Sequence, residues 1–456
     1  MKRSLILCLV VALTGCTPLP GKNPASAAVE PDALPPMVTF ASPRPSPPSG
    51  SNTDIARDFL DLSFRLESGR DLPILTRFEG PIRVRVTGAP PPTLRGDLDR
   101  LLLRLRDEAG LDIATTSSST AEITIQAVSR RNIQRVLPTA ACFVVPNVTS
   151  LTEYRRLQRS NSITWSRLQR RKHLAIFVPN DVSPQEIRDC LHEELAQAIG
   201  PLNDLYRLPD SVFNDDNMHT VLTGYDMLLL RTYNHPSLRN GMTRDEVTAR
   251  LPAILASLNP EGEGRASRPL QETPRAWIHA IETALGPGAS ETERMQAGKE
   301  AVRIATELGW TDHRRAFSHF AMGRLLRGTD PDAAQLEILR ADRFYAKSPQ
   351  TKLHRAYVAS QLAAHAIAQG NGAEALNLLR PHLDTAARHE NAALLATLML
   401  LRVEALELVG RRTEAEALLL DSLGWARYGF GEDWAVFAKM HEISALNPQH
   451  KNTGGS

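Results

Sequence analysis

The chain has 456 residues, of which 42% are hydrophobic and 23% charged, with a formal net charge of +2. That length exceeds what one ordinary core organises, so two or three folded domains are expected. A charge this close to balance excludes a global electrostatic drive toward nucleic acid, which is not an expected partner.

Met1-Lys2-Arg3 is a short basic start. The apolar run "SLILCLVVALTG" after it is too short for a stable membrane span, which needs about 20 residues. Residues 1-15 therefore read as a signal peptide. "LTGC", Leu13 to Cys16, resembles the lipobox of bacterial lipoproteins. That resemblance implies cleavage before Cys16 and a diacylglycerol on its sulfur. Thr17 is not the Asp that usually retains such proteins at the inner membrane, so the implied site is the periplasmic face of the outer membrane. Of the four cysteines, Cys8 leaves with the signal and Cys16 takes the lipid, which leaves Cys142 and Cys190. An oxidising periplasm favours a disulfide between them, with two buried free thiols as the alternative.

Residues 16-52 read as a Pro-rich tether: ten of the 31 prolines lie between Pro18 and Pro48, with no apolar period. Such a segment stays extended, at about 3.1 Å per residue, and could hold the folded domains on the order of 100 Å from the lipid.

Residues 53-258 alternate in character. "IARDFLDLSFRL" reads as an opening helix. "PIRVRVTGA", Pro81 to Ala89, alternates apolar and basic residues as a half-buried strand does. "LRGDLDRLLLRLRDEAGL" is helical and ends at Gly110. "AEITIQAV" and "HLAIFVP" are further strands. Between them, "EYRRLQRSNSITWSRLQRRKH" carries seven Arg/Lys between Arg155 and Lys172. It reads as a solvated insertion, with an anionic envelope polymer as the functional alternative. Ser183-Pro184-Gln185-Glu186 is a capping box with proline at the first helical position, where its missing N–H is not needed. That helix stops at Gly200-Pro201. Further capping boxes begin at Thr223 and Thr243. Asp215-Asp216 between Asn214 and Asn217 lacks calcium-loop spacing and reads as a turn.

Residues 259-272 read as a linker and 273-446 as all helical, with 447-456 a disordered tail. Gly328, Gly370 and Gly410 each sit at a turn between two apolar helices. This spacing resembles tetratricopeptide-type helical hairpins, whose concave faces suit a protein partner.

"CLHEELAQAIGPLND", Cys190 to Asp204, carries the candidate site. Metzincin peptidases use H-E-x-x-H-x-x-G-x-x-H/D. Two histidines four apart bind zinc from one helix face, and the intervening Glu activates a water. Anchored on Gly200, that frame puts Glu193 at the first ligand, Glu194 at the catalytic Glu, Gln197 at the second ligand and Asn203 at the last, and either Asn203 or Asp204 could return toward the helix face. "SVF" then resembles the Ser-x-Met of the Met-turn, with Phe213 in place of methionine, and "YDMLLLRTY" resembles the closing helix. Reading His192-Glu193 as the "HE" fails, because the residue four on is Ala196; His192 is expected on the helix surface, and His219 is the next histidine. Oxygen-only ligand positions do not suit catalytic zinc and suit a hard cation, calcium, magnesium or manganese, at best. The resemblance therefore implies an α+β zincin-like fold without metal ligands. Three readings stay open. The site is a dead scaffold, a pocket for a ligand or hard cation, or a Glu193/Glu194 acid–base pair with Glu194 as general base.

The string from Cys190 to Met242 also resembles an uncharacterised proteobacterial lipoprotein family, domain of unknown function 2927. Its members share the EE-x-x-Q-x-x-G core, then Asn-Asp and Ser-x-Phe-Asn-Asp, over about Thr53 to Pro252. The sequence as a whole is expected to be a non-catalytic envelope scaffold or adaptor without a cofactor. The alternative is a hydrolase of envelope peptides or peptidoglycan.

Overall fold

The apolar–basic alternation at Ile82 to Arg85 becomes the first strand of a five-stranded sheet in a computed structural model that describes residues 34–40 and 45–452. The first unit runs α1 (Asn52–Ser63), β1 (Ile82–Gly88), α2 (Pro92–Ala109), β2 (Ile113–Thr115), β3 (Ile123–Val128), α3 (Arg130–Gln134), β4 (Phe143–Pro146), α4 (Leu151–Leu157), β5 (Leu174–Pro179), α5 (Pro184–Ile199), α6 (Gly224–Tyr233), α7 (Arg244–Thr248) and α8 (Leu251–Leu258). Sheet order is β2-β1-β3-β5-β4. All pairings are parallel except β4 on β5, where Phe143 faces Phe177 and Val145 faces Ala175.

Strand β5 is buried on both faces, which is why it reads as a continuous apolar run. Leu174, Ile176 and Val178 join the main core with Leu191 and Leu195 of α5. Ala175 and Phe177 turn to the other face, against Ile133, Phe143 and Leu151. Strands β2 and β4 are three and four residues long, too short for a period to show in sequence.

The second unit is helical: α9 (Arg275–Leu285), α10 (Glu291–Glu307), α11 (His313–Leu326), α12 (Pro331–Tyr345), α13 (Lys352–Ala368), α14 (Gly372–Leu379), α15 (Leu383–Arg388), α16 (Ala392–Leu408), α17 (Arg412–Phe430), α18 (Asp433–Ser444) and α19 (Pro448–Asn452). Neighbours pack pairwise, α9 on α10, α11 on α12, α13 on α14 and α16 on α17. Of the three expected turn glycines, Gly370 and Gly410 take left-handed φ values of 76° and 77°, where glycine carries no side-chain penalty. Gly328 has no such φ. The expected tail is helical at its start, as α19. Among the described residues no helix is long and apolar enough to cross a membrane.

The units are interlocked rather than strung on a linker. Tyr206 and Met218, from the loop after α5, sit in the core of the helical unit with Trp277, Phe317 and Tyr345. His313 and the Tyr206 carbonyl meet at 2.6 Å, and His354 meets Asp216 at 2.8 Å. On the other side Gln185 of α5 bonds Asn391 and the N–H of Ala393, and Tyr428 of α17 donates to Asp97 of α2 at 2.8 Å. The expected linker is also held, since Asp54 of α1 accepts from Ser267 and from the N–H of Arg268.

The expected tether differs where it is described. Instead of standing clear, residues 34–40 lie on the helical unit. Leu34 is buried with Ala396, Leu423 and Val436, and Phe40 packs on Trp425 at 4.5 Å between ring centres. Val38 N–H donates to the Gly424 carbonyl at 3.1 Å. A Cβ on Gly424 would come within 2.6 Å of Val38, so glycine is what lets the strap approach. Proline-rich chain is already extended, and laying it down forfeits little conformational entropy. The expected signal peptide, residues 1-15, and Cys16, the expected lipid site, lie outside the described residues.

Candidate functional site

Helix α5 is built from local signals that the sequence shows. The Ser183 hydroxyl accepts the N–H of Glu186 and Pro184 opens the first turn. The reciprocal half of the box does not form, because the Glu186 carboxylate pairs with Arg130 instead. The helix is pinned by the Cys142–Cys190 disulfide, as expected, which ties it to the start of edge strand β4.

Its C-terminal end is held by a residue whose role was not apparent from sequence. Arg171, expected in a solvated basic insertion, is buried. It donates to the carbonyls of Gln197 (2.7 Å), Ala198 (2.8 Å) and Gly200 (2.6 Å), and to the Tyr233 hydroxyl (2.9 Å). A guanidinium fork is suited to this, since it satisfies several of the carbonyls a helix end leaves open and places positive charge at the negative end of the helix dipole. Gly200 is required here, because a Cβ would come within 2.5 Å of Leu230 and 2.8 Å of the Ala196 carbonyl.

Thus held, α5 presents Glu193, Glu194 and Gln197 to a cleft of about 2010 Å³ between the two units. Asn203 returns to the same cleft, with its amide donating to the Asp61 carbonyl at 3.0 Å. The four positions that the metzincin frame singled out thus line one space. Their donors are carboxylates and carboxamides, with no imidazole or thiolate, which does not fit a catalytic zinc.

Phe213 lies beneath the site rather than in it. It is buried in the main core, its N–H donates to the Ser211 hydroxyl, and its carbonyl accepts the N–H of Leu205. Ser211 in turn donates to Asp226 at 2.5 Å, the N3 residue of the α6 capping box. His192 corrects an expectation. It is buried, not on the surface, and its Nδ1 accepts the N–H of Leu222 at 3.1 Å. Burial and the nearby Arg104, Arg188 and Arg100 hold it well below the usual histidine range, which keeps it a neutral acceptor. His219 is also buried, against the Pro209 carbonyl at 2.9 Å. Neither histidine lines the cleft.

The cleft gathers more carboxyl groups than the sequence frame anticipated. Asp204 lines it beside Asn203, as the sequence allowed, and Asp215 joins from the same loop, Glu67 from the exposed turn after α1, and Glu282 from α9. Desolvation, then Glu67 and Asp215, push Glu193 up to about 7. Glu194 is raised further by the same burial and by Glu193 and Glu67, although the N–H of Val144 in β4 points at it. Asp204 is raised well above its ordinary value by burial and by Glu67, to which it is hydrogen-bonded. Asp215 rises to about 7, mainly by desolvation. Within this group Glu194 Oε2 and Asp204 Oδ1 have no hydrogen-bond partner, and Glu194 is 5% exposed.

Asp215, expected in a turn, does stand in one, where Asn214 and Asp216 form local side-chain-to-backbone bonds. What the sequence did not show is that this turn faces Glu193. The residues come from segments far apart in the chain, with no spacing motif to join them.

Residues 52–253 match the model of the family described as Protein of unknown function (DUF2927). The DUF2927 match takes in α1 through α7 and the first turn of α8, including the Glu193-to-Gly200 core, the disulfide and Arg171. The helical unit, which supplies the opposite wall of the cleft, lies outside it. No curated protein matches the chain.

Proposed function

We propose that this chain is a non-catalytic envelope scaffold, anchored by a lipid on Cys16 at the periplasmic face of the outer membrane. Its inter-unit cleft holds an extended segment of a protein partner. In this reading the first unit is a zincin-like domain whose ligand positions, Glu193, Gln197 and Asn203, no longer serve a metal. The helical unit is a tetratricopeptide-like array that closes the cleft from the other side.

The observation that carries the reading is the size and make-up of the cleft. At about 2010 Å³ it is about twice the upper end of what small-molecule sites occupy, roughly 300–1,000 Å³. One wall is the DUF2927 domain with edge strand β4, and the other carries Phe320, Tyr357 and Thr397 of the helical unit. A space shared by two units and bordered by a sheet edge suits a chain segment better than a metabolite.

Site-specific photo-crosslinking tests it. A crosslinking side chain at Leu270 or Ile278, both on the cleft wall, should trap one defined envelope polypeptide in cells. The same group at Leu420, which is 61% exposed and does not line the cleft, should not. Equal capture at both places, or none at the cleft, sinks the proposal.

The second reading, an envelope hydrolase, is favoured by one observation. Glu194 is desolvated and kept protonated above the usual carboxyl range beside a second raised carboxyl, as a general acid or base requires. Adjacent helical side chains diverge by about 100°, which works against their sharing one proton. Cleavage of envelope peptides or peptidoglycan by the purified chain, abolished by Glu194→Gln, would establish that reading in place of the scaffold.

A further inference from the structure

Resting on the scaffold reading, we infer that the carboxyl-lined floor of the cleft is a seat for a cationic side chain, lysine or arginine, of the segment that occupies it. Four carboxyl groups of one face, Glu193, Glu194, Asp204 and Asp215, converge there with Glu67 and Glu282 at the rim. The charges acting on Glu193, Glu194 and Asp204 are all negative. Burying like charges together without a counter-charge is unfavourable, and native proteins compensate such groups or neutralise them.

The arginines along the same cleft do not supply the missing charge. Arg207 is taken by Asp58 and Asp61, at 2.8 and 2.7 Å. Arg244 is taken by Asp61 and the Leu60 carbonyl. Arg57 pairs with Asp54, Arg65 with Asp71 and Lys439 with Glu442, and Arg275 donates to the Glu67 carbonyl. Arg324, on the opposite wall with Arg327, lies over the Phe320 ring, and neither is among the influences on Glu193, Glu194 or Asp204. Arg275 also acts on Asp215, as the weakest of the influences there. The acceptor that is left over is specific. Glu194 Oε2 lies in a residue only 5% exposed, has no partner, and belongs to a side chain lining the cleft.

The spread of the carboxyls selects an organic cation over a metal ion. Among the described residues, the one trio of His, Cys, Asp or Glu whose donor atoms all lie within 4.8 Å of one another is Glu404, Glu407 and His450, away from the cleft. Calcium needs several oxygens at roughly 2.3–2.6 Å from one point. An ammonium with three donors, or a guanidinium with five on a planar fork, reaches acceptors that are farther apart.

Seating a cation has a proton consequence. At pH 6 the floor is largely protonated, and Glu193 and Asp215 titrate at about 7. An arriving ammonium favours the ionised carboxylate and so expels a proton. Affinity should then strengthen with pH through the range in which the floor titrates, by about tenfold per pH unit for each proton released.

The experiment is calorimetry on the full chain. The probes are an acetylated, amidated Ala-Ala-Lys-Ala-Ala peptide and the same peptide with its lysine Nε-acetylated. Each is titrated at pH 6, 7 and 8 in phosphate and in Tris, so that the difference in heat counts protons. The lysine peptide should bind at least about tenfold tighter than its acetylated twin and release about one proton near pH 7. Glu194→Gln preserves the shape of the protonated carboxyl. It should keep the melting temperature within a few degrees or raise it, weaken the lysine peptide by about tenfold and reduce the proton count.

Equal binding of the two peptides overturns the cationic seat and leaves the scaffold standing. Binding of neither at 1 mM, or binding without proton release, also overturns the seat. Calcium chloride alone binding stoichiometrically and displacing the lysine peptide would reassign the floor to a metal. Cleavage of either peptide would overturn the scaffold reading and not the seat.

Discussion

At the scale of single residues, Glu193 and Glu194 show that two neighbours on one helix can be set by different surroundings. Glu194 is more deeply buried and lacks a partner at Oε2, while Glu193 is half-buried toward the cleft. A carboxyl raised in the folded state binds its proton more tightly there than in the unfolded chain. Its stabilising contribution is therefore complete below the unfolded value near 4.5 and is lost as pH rises through the folded one, about 7 for Glu193. Glu194→Gln cannot ionise, so it should be no more stable than the parent at pH 4.5. At pH 8 it should be more stable, by on the order of 1–3 kcal/mol. Denaturant unfolding at the two pH values checks this, and a pH-independent difference would show that Glu194 is not held protonated. His192 teaches the reverse lesson, since a histidine followed by glutamate on an active-site-like helix proved to be a neutral acceptor for the Leu222 N–H.

At the scale of elements, α5 is held by a start legible in sequence and an end that was not. Ser183-Pro184 and Gly200 bound the helix from local chemistry alone. Its C-terminal clamp, Arg171, comes from a run of basic residues in which the other members are exposed or partly so, and nothing local separates it from them. The strands divide likewise. The period of β1 and the apolar runs of β3 and β5 were readable, whereas β2 and β4 are specified by the neighbours they pair with rather than by their own three or four residues. For the site, the metzincin frame found Glu193, Glu194, Gln197 and Asn203 because they share one helix and its following turn. Glu67 and Glu282 arrive through tertiary packing and have no sequence signature. Two losses should follow. Replacing both Cys142 and Cys190 by serine frees a 48-residue separation, which in the chain-entropy account destabilises the fold by about 4 kcal/mol. Chemical denaturation of the oxidised parent and the double variant measures it. Arg171→Ala leaves the Gln197, Ala198 and Gly200 carbonyls without a donor and should cost about 3 kcal/mol or more. The lost protection should show in hydrogen exchange at the end of α5. Arg171→Lys should recover little of it, since one ammonium cannot reproduce the fork.

At the scale of the whole molecule, the junction between the units is built on a cluster of buried and half-buried histidines. His219 stands between His354 and His389, at ring-centre distances of 6.0 and 5.2 Å. His354 is fixed by Asp216 at 2.8 Å and His313 by the Tyr206 carbonyl at 2.6 Å. Burial dominates in lowering His313 and His389 to about 4 and His219 well below its usual value, and the neighbouring histidines add to it. Arg388 and Lys352 press on His389 in the same direction, while Asp312 and Asp216 oppose the shift at His313. A histidine lowered in the folded state contributes stability that is present above its unfolded value near 6.5 and is lost as pH falls toward 4. The cleft carboxyls run the opposite way over the same window, so a single melting temperature would blend two opposed trends. The informative measurement is local. On going from pH 7.5 to pH 5, protection from hydrogen exchange, taken relative to the intrinsic amide rate at each pH, should fall in the loop around Tyr206 to Leu222 and at His389 to Asn391, while the first turns of α5 stay protected. His389→Asn removes one proton acceptor from the histidine group and should halve that response or better. If the two segments keep the same protection at both pH values, the histidine group does not loosen the junction with acid.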